Sequence, residues 1–425
     1  MTAVTPIMEV LARVPKHTQG IVAIPGSERG VEAVGEILGE DVSTALAAAG
    51  FCSLLDLLPA GGREGFAVPG GDSPGAKEER GRAASFALAG SCGDRRAGVT
   101  YAQLRTMLAR DVLAELGLSR GARVGVLLPN GPELAACLLV LMARAVAVPI
   151  NAQQTPAEVR AELAGTRCVA LVTLAAAPGG ACRWAGADAR ALAEELALVH
   201  VELRPDPHTA GMVELARARA GGTGTARAAG ACGGADAGLN GLGDVALVLH
   251  TSGTSGSKKR VPYTLEALVV GAACIVHSWQ LAPADVCLNM MPLFHVGGIA
   301  RNLLATALAG AGVVCAPAFD AGAFWETLAL RAVTWYYAGP TMHHMLLEEG
   351  RARGELPPRG AAPRGAPRRR LRMVANASGG LVPALAEELR AAFGCAVLPS
   401  YGMTECMPIS SPPPSYCLEK PRSSG

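Results

Sequence analysis

The chain has 425 residues and twelve cysteines but no C-x-x-C pair; the cysteines stand singly along it. Zinc sites and dithiol centres need paired spacing, so these read as reduced, buried thiols of an intracellular, cytoplasmic protein. An excess of charge of either sign is also lacking. Thirty-eight Lys and Arg oppose 36 Asp and Glu, a formal net charge of +2, which gives nucleic acid no claim as a partner. No basic segment followed by an apolar core opens the chain, so no secretory signal is expected. The longest apolar stretch, 134–150, is broken by Arg144 and Pro149 and is too short to span a membrane. No Gly-x-Ser-x-Gly elbow surrounds Ser255, so a serine nucleophile of that kind is not expected. The one local histidine cluster, His343-His344 with Glu348 a helical turn on, has no further ligand nearby and reads as packing.

What is present is a folded chain, half hydrophobic and long enough for two or more subdomains. Its organising stretch is Thr251-Ser252-Gly253-Thr254-Ser255-Gly256-Ser257-Lys258-Lys259, after the apolar run 245–249. Nine positions hold five hydroxyls, two glycines and two lysines. Glycines allow close backbone approach, hydroxyls donate hydrogen bonds and a lysine supplies a point charge. The mixture suits a loop around a polyphosphate; the plain alternative is a polar loop between a strand and a helix. Gly256 is followed by Ser257, so the Gly-Lys-Ser/Thr ending of an NTPase P-loop is missing.

Residues 1–95 read as an extension without assignable chemistry, with a Gly/Pro-rich stretch at 61–82. From Thr100 short apolar runs alternate with capped helices. Thr100–Gln103 and Thr155–Glu158 fit capping boxes, Gly117 can close a helix, and Asn130 can cap the helix near Pro132. Strands are expected at 123–128, 146–150 and 168–174. This alternation implies βαβ units and a parallel sheet, and 96–202 is taken as a first α/β subdomain. Residues 203–243, rich in Gly and Ala, are expected to be a linker. A second α/β subdomain spans 244–425, with a helix at 265–278, a turn at Pro292–Gly298 and a helix from near Ala300. The basic run 351–370 reads as a solvated insertion. A strand at 395–398 runs into Ser400-Tyr401-Gly402-Met403-Thr404-Glu405, the place where α/β proteins put ligands. Tyr401 offers a ring for a base, Thr404 a hydroxyl for a phosphate and Glu405 a carboxylate for a hard cation.

These loops, in order and together with Asn376-Ala377-Ser378-Gly379-Gly380, resemble the adenylate-forming superfamily, most of all its acyl-CoA-synthetase-like members. The resemblance runs from about Val99 to the last residue. It implies the family's N-terminal-domain fold, two similar α/β subdomains of layered sheets and helices. It implies ATP-dependent activation of a carboxylic acid to an acyl-adenylate, then transfer to CoA. By position, Thr251, Ser252, Gly253, Thr254, Ser255 and Gly256 would hold the phosphates and Lys259 would be the loop lysine. Ser378, Gly379 and Gly380 would line the adenine pocket, with Ser400, Tyr401 and Gly402 completing it and Tyr401 stacking on the base. Thr404 would contact the α-phosphate, Thr254 and Glu405 would hold Mg²⁺, and His295 would sit between acid and α-phosphate. The family's ribose-binding aspartate and mobile lid domain with its catalytic lysine would follow Gly425. The lid is therefore expected to be absent from this chain and supplied by a longer one, and this chain alone is expected to be a poor catalyst. Rival readings are a nucleotide-binding scaffold and a fatty-acyl-AMP ligase that loads a carrier protein.

Overall fold

Gln103 N donates to Thr100 Oγ1 (3.3 Å) and Thr100 N to Gln103 Oε1 (2.9 Å). This expected capping box starts helix α1 (Tyr101–Ala109). Asp111 caps the next turn, α2 (Val112–Leu116), which ends at Gly117 in the left-handed region. The computed structural model describes residues 52–58, 86–175, 183–184, 187–218, 238–251, 258–358 and 370–418. Residues 61–82, most of the basic run 351–370 and most of the extension 1–95 lie outside these.

Two sheets carry the chain. The six-stranded sheet contains β1 (Leu88–Gly90), and the seven-stranded sheet starts with β2 (Arg123–Leu127), β3 (Val146–Pro149) and β4 (Ala170–Leu174). Helices α3 (Pro132–Met142) and α4 (Pro156–Thr166) cross between β2, β3 and β4, and α4 opens on the expected Thr155–Glu158 box. β5 (Val199–Pro205) and β6 (Val213–Arg217) follow α5 (Ala189–Glu195); β7 (Val245–Thr251) and β8 (Lys259–Thr264) complete the first sheet. Its order is β6-β5-β4-β2-β3-β7-β8, parallel inside and antiparallel at both edges.

The second sheet adds β9 (Val286–Asn289), β10 (Gly312–Cys315), β11 (Trp335–Ala338), β12 (Met373–Asn376) and β13 (Ala396–Pro399). Its order is β1-β10-β9-β11-β12-β13, parallel throughout. Strands β9 to β12 are buried at every position, as expected where helices cover both faces of a parallel sheet. Helix α6 (Leu265–Trp279) leads from β8 toward this sheet; α7 (Ala321–Leu330), α8 (Pro340–Ala352) and α9 (Pro383–Phe393) are its crossovers. No helix among the described residues is long and apolar enough to cross a membrane.

Four expectations need correction. The stretch 203–243 is not one linker: the end of β5 and all of β6 lie in it, and the two strands pair antiparallel over five positions from Val213 to Arg217. Alternating burial along Val199–Leu203 drives this pairing, and the Gly/Ala content concealed it. The subdomain boundary at 244 does not follow the sheets, because β7 and β8 join the first sheet while β1, from the assumed extension, joins the second. The hydroxyl-rich stretch links two antiparallel strands rather than a strand and a helix, with Thr251 opposite Lys259. Finally, the helix expected from near Ala300 begins earlier, as a π-helix at Gly297–Leu304, before an α-helical turn at Ala305–Leu308. π-Helical geometry is rare and often found at functional positions.

Candidate active site

β9 connects to β10 on one side, and β11 continues to β12 on the other. The C-terminal ends of β9 and β11 therefore flank a topological switch point, where open parallel sheets form a ligand crevice. The segments after β9, β11, β12 and β13 hold His295, Gly339, Ser378-Gly379-Gly380 and Ser400–Glu405.

The turn after β9 is tied down by side chains. Asn289 Oδ1 accepts from Met291 N (3.1 Å) and from Asn302 Nδ2 (2.8 Å) in the π-helix. Asn130 does not cap α3, whose N-cap is Gly131 without a side-chain bond. It reaches across instead. Its Nδ2 donates to Ala316 O (2.8 Å) and, at 3.5 Å, to Met291 O, while its Oδ1 accepts from Leu293 N (2.9 Å). A β carbon on Gly298 would lie 2.4 Å from Pro292 O, so the tight turn carrying His295 requires glycine there. His295 is exposed, and its ring lies against Phe294 with centroids 4.6 Å apart. The ring is partly desolvated although the residue as a whole is exposed, and this lowers its pKa, which favours neutral imidazole at neutral pH.

After β12, Asn376 Nδ2 donates to Gly379 O (3.0 Å), and Tyr337 OH and Ser378 Oγ lie 3.1 Å apart. Ser400 N (2.9 Å) and Oγ (3.1 Å) both donate to Asn376 O. Asn376 Oδ1 is buried and has no hydrogen-bond partner, and a β carbon on Gly380 would meet nothing within 4 Å. An unsatisfied buried acceptor fits a donor-bearing ring such as adenine. Tyr401–Met403 pairs antiparallel with Cys406–Ser410, and Tyr401 is 50 % exposed, so its ring is free to stack. Gly402 continues this strand, and Thr404 and Glu405 form its half-buried turn. The Thr404 carbonyl accepts from Tyr263 OH of β8. Burial pushes the Tyr263 phenol pKa upward, so it remains a donor at neutral pH.

Of the hydroxyl-rich hairpin, Thr251, Lys258 and Lys259 are described; Ser252, Gly253, Thr254, Ser255 and Gly256 lie outside the described residues. Lys258 Nζ is held by Glu162 Oε1 at 2.6 Å. Glu162 also accepts from Gln154 Nε2 (2.9 Å) and lies 3.6 Å from His250 Nδ1. Lys259 is exposed on the neighbouring position of β8. One lysine thus braces the hairpin, and the next stands free of that ion pair to meet an anion. Among the described residues no group of three His, Cys, Asp or Glu could hold a metal ion. A Mg²⁺ site needs only one or two carboxylates when phosphates supply the other ligands, and Glu405 meets that requirement.

Asn130, Glu162 and Tyr263 were not recognised as site-building residues from the sequence. Asn130 lies in a readable segment, but its position before Pro132 matched a helix cap. Nothing local marks Glu162 or Tyr263, because their partners are 96 and 141 residues away.

Glycine-bearing loops at the C-terminal edge of a parallel sheet, with an exposed tyrosine and a carboxylate, are the arrangement of a nucleotide-binding α/β enzyme. The chain belongs to the AMP-binding enzyme family, whose model matches residues 76–425. It is 33% identical over 314 residues to the acyl-CoA synthetase ALT10 of Alternaria alternata, covering 71% of this chain and 52% of that protein. It is 31% identical over 338 residues to the oxalate–CoA ligase of Arabidopsis thaliana, covering 77% of this chain and 60% of the relative. The chain thus spans between half and two thirds of the length of these relatives. Among solved structures, the O-succinylbenzoate coenzyme A synthetase of Bacillus subtilis in complex with AMP superposes with a TM-score of 0.59. That match covers 82% of this chain and 78% of the other at 22% identity, a likeness of fold alone.

Proposed function

We propose that this chain carries the ATP- and acid-binding part of an enzyme that activates a carboxylic acid by adenylation and passes the acyl group to CoA. The observation that supports this best is the convergence of the 290–298, 376–380 and 400–405 segments on one sheet edge, with the Thr251/Lys259 hairpin tied to them through Tyr263 and Thr404.

In the reaction a carboxylate oxygen attacks the α-phosphorus of ATP, the bond to the β-phosphate oxygen breaks, and pyrophosphate leaves. The CoA sulfur then attacks the acyl carbon, the acyl–oxygen bond breaks with loss of AMP, and the thiol proton passes to solvent. Catalysis of such a displacement is mostly positioning and charge neutralisation. Tyr401 would stack on adenine, with Asn376, Gly379, Gly380, Ser400 and Gly402 around it. Lys259 would neutralise the leaving phosphates, together with the segment from Thr251 through Ser252, Gly253, Thr254, Ser255 and Gly256. Thr404 would donate to the α-phosphate. Glu405, with Thr254, would hold Mg²⁺, whose chemistry is to draw negative charge from the phosphates. Neutral His295 would orient the incoming carboxylate without adding a competing cation.

The test has two stages. Mg-ATP at millimolar concentration should raise the melting midpoint, as any ligand selective for the native state does; no shift would remove the basis of the proposal. In acid-dependent ATP–pyrophosphate exchange by the active enzyme, Lys259→Ala and Glu405→Ala should each lose roughly 2–4 kcal/mol of transition-state stabilisation. Equal exchange in both variants and the parent would assign the chemistry elsewhere.

A further inference from the structure

Arg301 lies within the π-helix, six residues after His295, and its side chain is 0% exposed. Its Nη2 contacts Met407 Sδ at 3.1 Å, a weak acceptor, while Nε and Nη1 have no hydrogen-bond partner. No carboxylate among the described residues forms an ion pair with it. Two partly exposed arginines differ: Arg372 pairs with Asp285 at 2.7 Å, and Arg351 pairs with Glu388. Aromatic faces hold the Arg301 guanidinium instead, Tyr337 at 4.6 Å and Trp279 at 5.5 Å from the ring centroids. Cation–π contacts offset only part of the cost of removing a charge from water, and a buried cation without an anion is a costly arrangement.

Its surroundings tie this charge to the crevice. Tyr337 packs on Gly297, where a β carbon would lie 3.3 Å from the ring, and its hydroxyl reaches Ser378 Oγ. Met407 follows Glu405 by two residues. The guanidinium is therefore enclosed by Tyr337, which itself touches Gly297 and Ser378, and by Met407, which follows the 400–405 segment.

We propose that Arg301 reads a second anionic group on the acid, so that the substrate class is a short dicarboxylic acid. This rests on the adenylation reading. One carboxylate would meet the α-phosphorus near His295, and the other would replace the aromatic faces as the partner of Arg301. The free Nε and Nη1 donors suit a carboxylate's two oxygens. A site built around a buried donor discriminates strongly against an analogue that leaves the donor unpaired.

The experiment measures binding of oxalate, malonate and succinate, each beside its monomethyl ester, by calorimetry and thermal melting with Mg²⁺ and a non-hydrolysable ATP analogue. At least one diacid should bind about tenfold or more tightly than its half-ester. Arg301→Met should erase that preference, retain the nucleotide-induced shift, and leave the ligand-free midpoint equal or higher, because an unpaired buried charge has gone. Arg301→Lys should keep part of the preference. Half-esters that bind as well as diacids, or no binding by any acid, would overturn the assignment even in the parent chain, without relying on a variant. A lower ligand-free midpoint in Arg301→Met with the diacid preference intact would make Arg301 a structural strut. A missing nucleotide shift would instead count against adenylation, so the two failures are distinguishable.

Discussion

Replacing Asn130 by alanine removes three contacts that join the first sheet's loop to the second sheet's crevice. Two are of good length, Nδ2 to Ala316 O at 2.8 Å and Leu293 N to Oδ1 at 2.9 Å; the third, to Met291 O, is long at 3.5 Å. A hydrogen bond contributes about 1 kcal/mol net, and an abandoned buried partner adds to the loss. Asn130 is only half-buried, so water can replace part of what is lost. The expected destabilisation is about 1–3 kcal/mol in urea unfolding. Leu293 precedes His295 by two residues, so the turn should also shift, and a displacement of about 1 Å at a reacting group can cost ~100-fold in rate. Acid-dependent exchange should therefore fall while the Mg-ATP melting shift persists, because adenine and phosphates are held by other segments. Asn130→Asp separates the two bonds: it keeps the acceptor for Leu293 N and sets a carboxylate oxygen against the Ala316 carbonyl. It should be no better than alanine. An alanine variant within about 0.5 kcal/mol of the parent, with unchanged exchange, would refute the bridging role.

Two further outcomes follow from particular contacts. Gly298→Ala places a methyl 2.4 Å from Pro292 O, and its exchange activity should fall more than its melting midpoint; an unaffected rate would show that the turn tolerates the shift. His343 is buried beside Tyr336, and desolvation lowers its pKa to about 3. The unfolded chain binds that proton below about pH 6.5 and the folded chain does not, so stability is lost as pH falls from about 6.5 toward 3. Between pH 7 and pH 5 His343→Gln should lose about 2 kcal/mol less stability than the parent; parallel pH curves would contradict this.

Local signals made much of the fold legible. Thr100–Gln103 and Thr155–Glu158 cap helices as their spacing requires, and the strands expected at 123–128, 146–150 and 168–174 are present as Arg123–Leu127, Val146–Pro149 and Ala170–Leu174. Pairing between distant segments was not legible, because no local pattern encodes it. Leu88–Gly90 aligns with Val313–Cys315, and β7 joins the first sheet although it follows the Gly/Ala-rich stretch. The Ser400–Glu405 segment was legible as the stretch that follows the last strand of the sheet, yet its hairpin with Cys406–Ser410 was not anticipated. Arg301 gave no signal, since one arginine in an apolar helix reads as ordinary until its missing anion is seen.

Helix α6 explains how loops from two sheets can serve one site. At its N-terminal end, Tyr263 lies two residues before its first residue and holds the Thr404 carbonyl. Midway, Gly271 lets the backbone of Met407 approach; a β carbon there would lie 2.3 Å from Met407 O. At its C-terminal end, Trp279 lies beside Arg301 and meets Trp335 of β11 edge to face at 5.4 Å. Fifteen helical residues span about 22 Å at 1.5 Å each, and a buried helix of that length behaves as a strut. The hairpin with Lys259, the turn with Glu405 and the cation that would read the acid are thereby fixed to one rigid element. Helix α6 contributes no group to the chemistry itself. Its apolar faces would instead set the distance between the phosphate end and the acid end of the site, and phosphoryl transfer depends chiefly on that kind of positioning.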